Sequence, residues 1–229
     1  LLGDAAVLGF WGYLCYPFTG LLELDNPKIK ASDLNILTPS ETFIKGVRKE
    51  TPVRVGINKE EIAKAILSAA KMVDPVYGQA KVYELLKKRP LKITFGGEPK
   101  ERYHEGKPYV NLAEYRSYLQ GGPKIILYNN LVRYYYQALI HPNLEAQKTN
   151  DSHIYHENFH FLQDIRQPLR LLADKHVSSS SEGSQTEQLA PWEREFERDA
   201  VRKSQMFTER ILNEHLMGKG SSYWPFGRL

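Results

Sequence analysis

Two histidines and a glutamate, His156, Glu157 and His160, stand together in the segment His153-Ile154-Tyr155-His156-Glu157-Asn158-Phe159-His160. The pattern is HExxH. Residues four apart lie about one turn apart on the same helix face, so both imidazoles can reach a single ion. That donor pair suits Zn2+, and Glu157 would sit beside the open coordination position. There it can take a proton from water and pass it to a leaving group. With seven histidines in 229 residues, composition alone produces an HExxH in on the order of one such chain in a hundred. The motif therefore outweighs its bland alternative, two core histidines hydrogen-bonded to neighbours with Glu157 in solvent.

A catalytic zinc takes three protein ligands and keeps one position open. The extended form HExxHxxGxxH fails, because Gln163 and Arg166 occupy its glycine and third-histidine positions. Downstream, Trp192 to Ala200 reads WEREFERDA and offers Glu193, Glu195 and Glu197. With the HExxH, this segment resembles the zincin metallopeptidases of the gluzincin type, over roughly residues 124–207. The resemblance implies Glu195 as third ligand and Asp199, four residues on, as a carboxylate supporting a ligating histidine. It also implies a strand edging the cleft, for which Lys124 to Tyr128 is the candidate, and a protein or peptide substrate. Against this, three glutamates and two arginines in one stretch are also an ordinary solvated helix face, and Lys124 to Tyr128 an ordinary core strand.

The elements that must position these residues are legible in outline. Asn150-Asp151-Ser152 offer N-caps for a helix from about His153 to Arg166, and Pro168 ends it. Its apolar residues cover most of the circumference, so the helix is expected to be buried. A last long helix is expected from Pro191 to about Met217. Asn58 and Glu61 form a capping-box pattern before Ile62, Ile66 and Val73. A second helix is expected over Val76 to Lys88, and another over Leu131 to Ile140. Pro52 to Ile57, Leu91 to Phe95, Tyr109 to Leu112 and Lys124 to Tyr128 read as strands. The order predicts an α+β fold, mainly helical, with a small sheet beside the HExxH helix. Residues 1–57 are expected to pack as an apolar, turn-rich segment on a domain spanning 58–229.

Composition excludes much else. At 41% hydrophobic and 25% charged residues the chain is an ordinary globular protein. A single cysteine, Cys15, excludes an internal disulfide and a multi-cysteine zinc site. The net charge of +4 falls short of a dedicated nucleic-acid binder. A nucleic-acid-associated protein nevertheless stands as an alternative, carried by Arg133 and Tyr134-Tyr135-Tyr136. A zincin-like metal- or partner-binding domain that cuts nothing is the other. The chain opens on Leu1, and the expectation is a piece of something longer. Its first 24 residues are apolar but broken by glycines, which favours packing or a partner contact over a membrane span. His153, His176, His215, Tyr155, Tyr223 and Arg202 are candidates to steady an oxyanion. The stretch from Ser178 to Ser184 reads as a flap or simply a surface loop. Nothing in the sequence assigns a compartment.

Overall fold

The computed structural model describes residues 29–39, 41–48, 51–104, 107–140, 144–167, 194–216 and 225–226. It has the α+β architecture expected from the sequence. A 3-10 turn, Ala31–Asp33, leads into strand β1 (Ile36–Leu37). The antiparallel hairpin β2 (Thr42–Arg48) and β3 (Thr51–Val55) follows. Helix α1 (Lys59–Val73) starts where expected, with the Glu61 N–H donating to Asn58 Oδ1 at 3.3 Å. Its apolar stripe, Ile62, Ile66, Ala69 and Ala70, is fully buried. Helix α2 (Gly78–Lys88) packs back on α1. A Cβ at position 78 would lie 2.2 Å from the Ala70 carbonyl oxygen, so the close approach of the two helices requires glycine there.

Strand β4 (Leu91–Phe95), the hairpin β5 (Glu101–His104) and β6 (Lys107–Val110), β7 (Ala113–Arg116) and β8 (Lys124–Leu127) come next. The main sheet has the order β1-β4-β8-β7. β1, β4 and β8 run parallel, with Lys92 opposite Lys124 and Phe95 opposite Leu127, while β7 runs antiparallel to β8. Helices α3 (Asn129–Ile140), α4 (Leu144–Arg166) and α5 (Glu195–Leu216) complete the described elements. No described helix is long and apolar enough to cross a membrane.

Two expectations are corrected. Lys124–Tyr128 does not edge the sheet: β8 is interior, flanked by β4 and β7. Ile125, Ile126 and Leu127 are all buried. A strand apolar on both faces needs cover on both, which an interior position supplies. The edge on that side is β7, and it packs against α4. Second, α4 begins at Leu144, so Asn150, Asp151 and Ser152 lie inside the helix. Asp151 and Ser152 are satisfied there: Tyr135 Oη on α3 donates to Asp151 Oδ1 at 2.6 Å, and Ser152 Oγ donates to the Thr149 carbonyl at 2.7 Å. The described residues of the N-terminal segment also join the fold. β1 pairs with β4, Ile57 bridges Phe226, and Arg133 Nε donates to the Lys45 carbonyl at 2.7 Å.

The tyrosine run is mostly core. Tyr135 and Tyr136 are fully buried, and the Tyr135 ring stands edge-on to Phe226 at 5.1 Å, whereas Tyr134 is exposed. Burial pushes the Tyr136 hydroxyl up to about 12. Arg133 is engaged by Glu98, with Nη1 donating to Oε2 at 2.9 Å. One tyrosine of the three faces solvent, as an amphipathic helix requires.

Candidate metal centre

Helix α4 carries the HExxH. Its C-terminal half is held from two sides. α5 docks on it through Phe207, whose ring meets Tyr155 edge-on at 4.7 Å and Phe159 at 6.0 Å. On another flank, Tyr115 Oη of β7 donates to Asp164 Oδ2 at 2.6 Å. Side chains clamped in this way lose the rotamer freedom that would blur a metal site.

His156 and His160 face each other one turn apart, with ring centroids 4.5 Å apart and ring planes at 90°. Their Nε2 atoms are 3.0 Å apart. Glu197 of α5 closes the group: its Oε2 lies 3.1 Å from His156 Nε2 and 3.2 Å from His160 Nε2. Three donor atoms at 3.0 to 3.2 Å form a nearly equilateral triangle. A tetrahedral ion with ligand bonds of about 2.0–2.1 Å has edges of about 3.3 Å. The triangle is thus one face of such a tetrahedron, slightly contracted. Among the described residues this is the cluster of histidine, cysteine or carboxylate side chains able to hold a metal.

The hydrogen bonds around His160 fix which of its nitrogens faces the triangle. Gln163 Nε2 donates to the Phe196 carbonyl at 3.0 Å and to Asp199 Oδ2 at 3.0 Å. With its amide nitrogen thus committed to two acceptors, Gln163 presents Oε1 to His160 Nδ1 at 2.8 Å. Nδ1 therefore carries the proton and donates it, leaving an Nε2 lone pair directed into the triangle. A lone pair, a carboxylate oxygen and a second imidazole nitrogen this close call for a cation or a shared proton between them. Burial opposes ionisation of Glu197. With a proton shared into the triangle, the charge of His160 and the imidazole hydrogen bonds outweigh it and hold the carboxyl well below the usual carboxylate range. His160 is buried while His156 and Glu197 keep 19% and 25% of their side chains exposed, so water reaches the group past these two.

Glu157 is buried next to this group. It precedes Asp164 by seven residues, two turns, and so shares that residue's flank of α4, the one turned to β7. α5 closes the triangle, and Glu157, about 100° around α4 from His156, is on the flank turned to the edge strand. No family model, no curated protein and no solved structure matches this chain.

The structure brings together His156, His160 and Glu197, and not Glu195. Glu195 and Glu197 are about 200° apart around α5, so the burial of Phe196, Ala200 and Phe207 that seats the helix can aim only one of them at the imidazoles. Glu195 is exposed at the first residue of α5. Asp199 reaches no histidine directly; Gln163 stands between it and His160. In the sequence Gln163 stands out only as the residue at the glycine position of the extended motif. Its signal was the i+3 spacing from His160, which puts an amide beside a ring nitrogen.

Among the oxyanion candidates, Tyr155 is buried against Phe207, and Arg202 Nη2 donates to Asp199 Oδ1 at 3.2 Å. His153 sits half-buried one turn before His156; burial, with the charge of His156 adding to it, pushes its imidazole below the ordinary value. His215 lies on α5. The expectations for residues 1–24 with Cys15, for His176, for 178–184, and for Glu193 and Tyr223 fall outside the described residues.

Proposed function

We propose that this protein is a zinc-dependent metallopeptidase. The observation that carries the reading is the triangle of His156 Nε2, His160 Nε2 and Glu197 Oε2, with Glu157, the residue after His156, buried. The donors fit Zn2+: two imidazoles and a carboxylate are a set this ion takes when a fourth position is left for water or substrate. Bound there, zinc would supply a Lewis acid that polarises a carbonyl and acidifies water.

The chain's own residues do the rest. Glu157, as carboxylate, accepts the proton of the attacking water and delivers it to the nitrogen of the departing amine. The low-dielectric surroundings of a buried carboxyl suit a group that must both take and give a proton. Gln163 keeps the His160 proton on Nδ1, so that Nε2 stays a donor of electrons. β7, the edge strand against α4, takes over the rim role expected of Lys124–Tyr128, where an extended peptide would add as a further strand.

The test is direct. Protein purified without chelators is expected to hold about one zinc per chain. Glu157→Gln is expected to keep that zinc and to lose peptide hydrolysis by roughly 10²–10⁴-fold, the range for a general acid–base group. A Glu157→Gln variant cleaving as fast as the parent would sink the mechanism.

A further inference from the structure

Beside the metal group lies a groove of about 510 Å³, between the last turn of α4 and the first turns of α5. That is within the usual range of small-ligand sites, roughly 300–1,000 Å³. Gln163 lines it, so one side chain is both a wall of the groove and the hydrogen-bond partner of His160. Its charged walls are four bases, Arg166, Arg198, Arg202 and Lys203, and two acids, Glu195 and Asp199. The carboxylate of Asp199 is committed to Lys203 at 2.6 Å, Arg202 at 3.2 Å and Gln163 at 3.0 Å. Nothing of it remains for Arg166 and Arg198, which form no ion pair among the described residues. Both are exposed. The bases outnumber the acids by two. Two guanidinium forks, whose donors match a carboxylate in pairs, thus line the same concavity with no ion-pair partner among the described residues.

We propose that this groove binds a carboxylate of the peptide substrate, with Arg166 and Arg198 as its ligands. The proposal rests on the peptidase reading and names its substrate class: peptides with a negative charge near the cleaved bond. An acidic side chain and a free C-terminus present the same chemistry, so the test must separate them.

The zinc-loaded full-length chain is given matched peptides that carry Glu or Gln at a position flanking the bond, each with a free or an amidated C-terminus. Hydrolysis of the charged member is expected to exceed that of its neutral match roughly tenfold in kcat/KM at low salt, shrinking as salt is added. The pair that shows the difference identifies which carboxylate is read. In the double variant Arg166→Gln/Arg198→Gln the ratio is expected to fall to about one, and in Arg166→Glu/Arg198→Glu to turn in favour of Lys-bearing peptides. Zinc content and circular dichroism report whether each variant is folded. A ratio near one in the parent, or an unchanged ratio in a folded double Gln variant, overturns the proposal and leaves the peptidase reading standing. If no peptide is cut, that reading fails instead. Equilibrium binding of the same peptides to Glu157→Gln then decides the groove alone: tighter binding of the charged member, lost on removing the two arginines, sustains it, and equal binding overturns it.

Discussion

At the scale of single residues, Glu195 and Glu197 carry the sharpest contrast. They are the same side chain two positions apart, and only Glu197 reaches the imidazoles. Glu197→Gln is expected to weaken zinc binding by at least tenfold while Glu195→Gln leaves it within about twofold, since only the first removes an anionic ligand. Competition titration against a zinc chelator measures both. Equal losses in the two variants would contradict the observed register of α5. Gln163 shows how far the local hydrogen bonds reach: Lys203 and Arg202 hold Asp199, Asp199 holds Gln163, and Gln163 holds the proton of His160 in place. The carboxyl of Asp199 is opposed by burial, and the bonds from Lys203 and Gln163 outweigh this and keep it below the usual range.

At the scale of elements, the turn between α1 and α2 depends on Asp74. Its Oδ1 accepts the Tyr77 N–H at 3.0 Å and its Oδ2 takes Lys81 Nζ at 2.8 Å. Burial pushes its pKa up, but these two bonds win and lower it. A carboxyl depressed by folding contributes stability above its unfolded value, about 3.9, and loses that contribution as pH falls through the lower folded value. Asp74→Asn is therefore expected to cost about 1 kcal/mol near pH 7. Its gap from the parent should close as the pH drops below about 4 in denaturant melts. A gap that persists or widens in acid would mean that the charge is not what holds the turn. Helix α4 is pinned differently, by buried tyrosine hydroxyls. Tyr135→Phe removes the bond to Asp151, and about 1.5–3 kcal/mol of stability is expected to go with it, the usual worth of a hydrogen bond to a charged group. Denaturant unfolding with an unchanged m-value is the check.

At the scale of the whole molecule, the group of His156, His160 and Glu197 ties α4 to α5, two helices separated by residues 167–194 in the chain. An ion that binds only the folded form stabilises it by mass action, about 2.7 kcal/mol at a free concentration a hundred times Kd. At about 2–4 °C per kcal/mol for a chain of this size, zinc is expected to raise Tm by roughly 5–10 °C. Chelator should reverse the gain, and Glu197→Gln should abolish it. A Tm indifferent to zinc would remove the ion from the fold. What the sequence determined by itself was whatever follows from local spacing. The N-cap at Asn58, the turn-spaced pair His156 and His160, the apolar runs of β4 and β8, and the mainly helical α+β composition all depend on neighbours within a turn or a pleat. Tertiary structure alone decided the rest: Glu197 over Glu195, β7 rather than β8 at the edge, Asp151 as a partner of Tyr135 rather than a cap, and Gln163 at the back of His160. Each of these turns on the rotation of a helix or the place of a strand against a distant surface. Burying Phe196, Ala200 and Phe207 sets that rotation, and no spacing within WEREFERDA encodes it.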